Sequence, residues 1–251
     1  HNKNITSDKY DILKMLSNAI KEENITPVFQ PIVDVKSGKI KIFQSLIRIR
    51  EGGHLFGPKI FLQLSMDMGQ MIILTKLMIR STLESLQKLP KEVLVSISLS
   101  SYDFEDDSLM TYIDFWMERK AVCSKNIAFQ IEDSLDEVKS KKVLESILKL
   151  KEKGFKIILN SYGLSKFNLS NIFLIKPDFI KLQEDTVDRI EVDNKALLVI
   201  QKIIDIANIL GSEVIISHIS DRNQIDLIKS CHINLMQGFA ISPPFEVDYN
   251  E

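Results

Sequence analysis

The chain has 251 residues, 45% of them apolar and 26% charged, a balance that excludes disorder as its main state. Lys+Arg is 32 against 34 Asp+Glu, so a nucleic-acid binder working through a strong positive field is not expected. Cys123 and Cys231 cannot form a disulfide framework, and there is no CxxC pair for a structural zinc.

In chain order, Ile12, Leu16 and Ile20 recur at helical spacing and predict a helix over residues 8–23. Residues 26–35 and 39–49 are rich in β-branched side chains and flank Lys36-Ser37-Gly38, which predicts a hairpin. Residues 58–88 read as strongly helical, closed by Pro90. Strands and helices then alternate. Strand 93–99 precedes a helix near 107–120, strand 127–132 helix 136–153, and strand 155–160 a short helix near 165–174. Strand 178–182 precedes helix 193–211, strand 213–217 helix 221–230, and a last strand lies near 233–237.

This alternation predicts one parallel α/β domain, a TIM-like barrel first and a doubly wound open sheet second. No Pro/Gly/Ser-rich linker and no internal repeat divides it. No run reaches the ~20 apolar residues that span a bilayer, and no signal-peptide layout is present. His1 in place of Met is expected of a fragment or processed chain.

Barrel enzymes work at the C-terminal ends of their strands. Those positions here are Gln44, Ser98 to Ser100, Asp133, Asn160, Ser161, Lys181, Gln183, Ser217, Ser220 and Gln237. They are mostly neutral amides and hydroxyls, with charge only at Asp133 and Lys181. A metal-dependent hydrolase needs several converging carboxylates.

Three segments, in order and correctly spaced, carry a resemblance. They are residues 29–49 (FQPIVDVKSGKIKIFQSLIRI), 154–163 (GFKIILNSYG) and 236–244 (MQGFAISPP). The chain, from about residue 8 to residue 245, resembles the EAL domain, the bacterial phosphodiesterase domain for cyclic di-GMP. The resemblance implies a (β/α)8 barrel of the EAL type whose first strand is antiparallel. It implies two divalent cations held by carboxylates, which activate a water against a phosphodiester.

The chain departs from the family at the chemistry-bearing positions. Glu-Ala-Leu is Gln44-Ser45-Leu46, and Asn-Leu-Ser is Ser98-Leu99-Ser100. Glu-Ile-Thr-Glu-Ser is Gln130-Ile131-Glu132-Asp133-Ser134, which puts Asp133 on the ligand position; a one-residue shift would put Glu132 there. The paired aspartates are Asn160-Ser161, and Lys-Ile-Asp is Lys181-Leu182-Gln183. Ala-Glu-Gly-Val-Glu is Ile216-Ser217-His218-Ile219-Ser220. Asp133 is then the one acidic survivor, too little charge for two dications, so neither metal cofactor nor catalysis is expected.

The family's ligand-contacting positions correspond to Gln30, Leu46, Arg48, Gln237 and Pro244, with Lys181 beside them. Arg48 suits a phosphate and Leu46 a guanine face. Set against this, Gln30-Pro31 and Gln237-Gly238 suit backbone demands, Arg48 suits an ion pair, and Lys181 suits a pair with Asp133. His218 reads as a loop residue narrowing the groove, and His54 and His232 as surface. The two cysteines read as part-buried thiols. The Met-rich stretch 64–79, with Ser65-Met66 at the family's Ala-Glu, reads as core; Met66, Met68 and Met71 are its candidate homodimer contacts.

Three functions stay open at this point: an inactive regulatory domain that binds cyclic di-GMP or a protein partner, a pure protein-interaction domain, and a residual phosphodiesterase with an unusual metal set. Such domains adjoin sensor or output domains, so a cytoplasmic domain of a longer signalling protein, itself free to be membrane-anchored, is expected.

Overall fold

The computed structural model describes residues 2–131, 137–161, 169–182 and 194–247. A first helix, α1 (Asn2–Lys21), leads into β1 (Ile25–Asp34) and β2 (Ile40–Glu51), which pair antiparallel from Ile25↔Ile49 to Val33↔Ile40. Gly38, at φ 70°, makes the connecting turn, a backbone state glycine adopts without Cβ strain. A short β3 (His54–Phe56) folds back on the end of β2. Then come α2 (Pro58–Asp67), α3 (Met71–Ser85), β4 (Leu94–Leu99), α4 (Leu109–Arg119) and β5 (Ile127–Ile131). The chain continues through α5 (Glu137–Glu152), β6 (Lys156–Ser161), α6 (Leu169–Ile175) and β7 (Phe179–Leu182). It ends in α7 (Asn194–Leu210), β8 (Glu213–Ile216), α8 (Arg222–Ser230) and β9 (Leu235–Met236).

The strand order β1-β9-β8-β7-β6-β5-β4-β2 is closed by the β1–β2 pairing into an eight-stranded barrel. β1 is antiparallel to both its neighbours, and every pair from β2–β4 round to β8–β9 is parallel. The TIM-like expectation holds, including its antiparallel first strand, and the open doubly wound sheet does not.

Two details are finer than the sequence reading. The stretch expected to be helical, 58–88, holds two helices, because the chain leaves α2 through Gly69 at φ 65° before α3 begins. Glycine at that conformation ends a helix even where the apolar pattern runs on. The three-residue β3 is too short to show periodicity.

The barrel has an apolar floor. Ile32, Ile42, Ala128, Ile158, Phe179, Ile215 and Leu235 form one buried cluster, each from a different strand. Period-2 alternation places the next inward position of each strand one layer nearer the mouth. Those positions are Gln30, Gln44, Gln130, Asn160, Lys181, Ser217 and Gln237, so the wall turns polar within one layer. The outward faces of the strands pack on the helices. Phe29, Phe129 and Ile147 belong to one such cluster, Ile180, Ile204 and Val214 to another, and Leu16, Phe61 and Leu74 to a third against α1 to α3. Among the described residues no helix is long and apolar enough to cross a membrane.

Candidate functional site

At the C-terminal mouth, Lys181 reaches from β7 across the barrel. Its Nζ donates to Gln44 Oε1 at 2.8 Å and to Gln130 Oε1 at 3.3 Å. Gln237 Nε2 donates to Gln44 Oε1 at 2.7 Å and to Gln30 Oε1 at 3.2 Å, and Gln30 Nε2 donates to the Ser242 carbonyl at 3.1 Å. All five side chains are buried, Lys181 to 4% exposure. An ammonium there is costly unless its protons find acceptors, and in this shell amide dipoles supply them.

The charge also fixes the amides. An ammonium only donates, so the atoms facing it are the oxygens of Gln44 and Gln130. Gln237 must then present its NH2 to Gln44, and Gln30 its oxygen to Gln237. Each orientation follows from the one before.

The loop carrying Gln237 is braced by backbone. Gln237 N–H donates to the Ile216 carbonyl at 2.9 Å, Ile219 N–H to the Gln237 carbonyl at 3.1 Å, and Ala240 N–H to the Ile219 carbonyl at 3.0 Å. A Cβ on Gly238 would lie 2.1 Å from the Ile219 carbonyl oxygen, so this backbone approach requires glycine. Phe245 pairs with Phe29 and sets its ring edge-on to Phe43, holding the segment that contains half-buried Pro244.

Leu46 and Arg48 continue the inward face of β2 beyond Gln44, and both are half-buried. Arg48 makes no ion pair with the described residues; its Nη1 donates to the Ile47 carbonyl at 2.8 Å. Burial lowers its pKa from the usual arginine value, and the group stays charged. Beside them opens a cavity of about 300 Å3 between β2, β4, α2 and α3. Its wall includes Gln44, Leu46, Leu62, Met66, Met71 and Ser98.

Other sequence candidates are used differently. Ser217 Oγ donates to the Leu182 carbonyl at 2.7 Å and lies 3.1 Å from His218 Nδ1. Since its one proton is committed to Leu182, the histidine Nδ1–H is the donor in the second contact. His218 is exposed at φ 68°, where the family carries glycine. Exposed Ser220 bonds Gln224 at the start of α8 and does not enter the lysine network. Asn160 is half-buried on β6 in register with Lys181. Asp133 and Gln183, and with Asp133 its expected pairing to Lys181, lie outside the described residues, as does the side chain of Ser161.

The inward side chain near the end of β5 is Gln130, which the sequence reading passed over in favour of charged Asp133. The signal was present in the alternation Ala128-Phe129-Gln130, which repeats Ile42-Phe43-Gln44 on β2. Met66, Met71 and Met78 line the cavity and Met68 is exposed, while Leu77 and Ile79 are core. Cys123 is exposed, not part-buried, because it ends the loop after α4; Cys231 is half-buried. His54 and His232 are exposed, as expected.

A divalent metal needs several hard, anionic oxygens. Gln44, Gln130 and Asn160 are neutral, and two of their carbonyls already accept from Lys181. No three His, Cys, Asp or Glu side chains converge among the described residues. The described residues do not fit a divalent metal centre.

Residues 13–244 match the EAL domain. The chain belongs to the EAL domain family. It is 23% identical over 242 residues to the probable cyclic di-GMP phosphodiesterase PdeG of Escherichia coli, covering 92% of this chain and 46% of that protein. It is 23% identical over 234 residues to the cyclic di-GMP phosphodiesterase PdeB of Shewanella oneidensis, covering 91% and 27%. The chain thus spans less than half the length of these relatives. Among solved structures, the Xanthomonas citri FimX EAL domain in complex with cyclic di-GMP superposes with a TM-score of 0.86 at 15% identity, covering 100% of this chain and 99% of that one. The Bacillus subtilis YkuI protein, with cyclic di-GMP and calcium, gives 0.81 at 18% identity, covering 96% and 60%. At such identities the structural likeness establishes the barrel of this EAL domain.

Proposed function

We propose that this EAL domain is a degenerate, catalytically inactive, metal-independent receptor for cyclic di-GMP in bacterial signalling, acting in the cytoplasm as part of a longer protein. The observation that carries the reading is the Lys181–Gln44–Gln130–Gln237–Gln30 network. Where metal chemistry needs carboxylates, the mouth holds a lysine bonded to neutral amides. With no metal to lower its pKa, water stays a poor nucleophile at neutral pH. The same substitutions favour a metal-free phosphodiester, because carboxylates would repel it by about 4 kcal/mol each at 4 Å and an effective dielectric near 20.

In this reading Arg48 pairs with a phosphate, Leu46 packs on a base, and Gln30, Lys181, Gln237 and Pro244 shape the floor and rim. The expected result is no linear dinucleotide above a no-enzyme control when the protein is incubated with cyclic di-GMP and Mg2+ or Mn2+. Metal-dependent product that disappears in Lys181→Ala would establish a phosphodiesterase instead. Arg48→Ala should weaken ligand binding about 10- to 150-fold, the loss of a hydrogen bond to a charged group.

A second reading, a protein-interaction domain without nucleotide affinity, draws on exposed Phe173 and Leu174 of α6 and Leu198 and Ile209 of α7. Single exposed apolar residues are ordinary, and these weigh less than the mouth.

A further inference from the structure

The amide orientations at the mouth reverse what position 44 offers a ligand. A glutamate there would present only acceptors. Gln44 has its oxygen turned inward, to Lys181 Nζ at 2.8 Å and Gln237 Nε2 at 2.7 Å, which occupies both of its lone pairs. Its Nε2 is left as a two-proton donor with no hydrogen-bond partner among the described residues, on a side chain more than nine-tenths buried. Gln44 forms part of the wall of the cavity of about 300 Å3 between β2, β4, α2 and α3. That volume is at the lower end of the ~300–1,000 Å3 range of small-molecule clefts.

We infer that Gln44 is a ligand-contacting donor, its side-chain N–H bonding an anionic phosphodiester oxygen of a nucleotide seated in this cavity. The inference rests on the receptor reading above and names one recognition element for it. Two features favour an anionic acceptor. The buried ammonium bonded to the Gln44 oxygen polarises the amide, and hydrogen bonds in a chain strengthen one another in a low-dielectric interior. Arg48, four residues on along the same strand face, adds a cationic donor. Against them stands the one carboxylate in the cavity wall among the described residues, Asp103, whose Oδ2 accepts from the Ser100 N–H and hydroxyl at 2.7 and 2.9 Å. Leu46, Leu62, Met66 and Met71 give the rest of the wall an apolar surface suited to the flat face of a base.

Gln44→Glu separates this role from a structural one. The carboxylate is isosteric and can still accept from both Lys181 and Gln237, so the internal network persists; only the outward donor becomes an acceptor with charge. Cyclic di-GMP is titrated into wild type and the variant in EDTA, with thermal unfolding measured in parallel. The expected result is at least tenfold weaker binding in Gln44→Glu with an unfolding midpoint equal to or above wild type. Binding within twofold of wild type would overturn the inference while leaving the receptor reading intact. No binding by wild type would overturn both. Should the variant not fold, the side-chain amide signals of Gln44 in 15N-labelled wild type give the answer. They should shift during the titration, and signals that stay fixed while the ligand binds would refute the contact.

Discussion

Replacing Gly238 by alanine would push a methyl group into backbone, where nothing flexible can yield. The new Cβ would sit 2.1 Å from the Ile219 oxygen, 2.4 Å from its nitrogen and 2.7 Å from its carbonyl carbon. Relief requires the Gln237 loop and the turn after β8 to separate, which stretches the bonds from Ile219 N–H to the Gln237 carbonyl and from Ala240 N–H to the Ile219 carbonyl. Overpacking costs about 1–3 kcal/mol and each lost bond about 1 kcal/mol, so a destabilisation of about 2–4 kcal/mol is expected. For a domain of this size that lowers Tm by about 5–15 °C. Gly57→Ala is the control. Gly57 has φ −80° with nothing within 4 Å of the added Cβ, so its effect should stay within about 1 kcal/mol. Thermal unfolding followed by circular dichroism reads both variants. A Gly238→Ala midpoint equal to that of Gly57→Ala would refute the close-approach argument, and with it the account of how Gln237 is positioned.

Ser45 on β2 and Thr82 on α3 share a buried hydrogen bond of 2.7 Å. Thr82→Val should cost about 1–3 kcal/mol by stranding the Ser45 hydroxyl, and the Ser45→Ala/Thr82→Val pair should cost less than the sum of its singles in urea unfolding; strict additivity would contradict the bond. Asp106 is held down to about 2, chiefly by the hydrogen bond from Lys76 and then by that from Ser108. A depressed carboxylate adds stability above its unfolded pKa of 3.8 and loses it as pH falls toward 2. Discounted for its partial exposure, Asp106→Asn should cost at most about 1 kcal/mol at pH 7. The gap to wild type should close near pH 2; a gap unchanged between those pH values would contradict the assignment.

Much of the barrel was legible because its signals are local. Lys36-Ser37-Gly38 between two β-branched runs announces a hairpin, and the repeated strand–helix alternation announces parallel pairing. Gly69 is harder to read. The apolar pattern passes through it unbroken, and its left-handed backbone, with capping bonds from Gly69 N–H to the Met66 carbonyl and from Gln70 N–H to the Ser65 carbonyl, divides the helix. The site was legible in position but not in wiring. Gln44, Lys181 and Gln237 were marked by their place at strand ends, and Gln30 by the resemblance to the family. That one lysine orients four amides around the barrel depends on strands 51 to 207 residues apart. Gln130 shows the bias of reading by charge: Asp133 drew attention as the lone acid, while the inward alternation on β5 pointed to the amide.

The central claim is that the mouth recognises a phosphodiester without metal. Isothermal titration of cyclic di-GMP, once in EDTA and once in excess Mg2+, tests it most directly. The account predicts saturable one-site binding with the same Kd in both buffers. No heat at 100 μM ligand in EDTA, or binding that appears only with Mg2+, would contradict it.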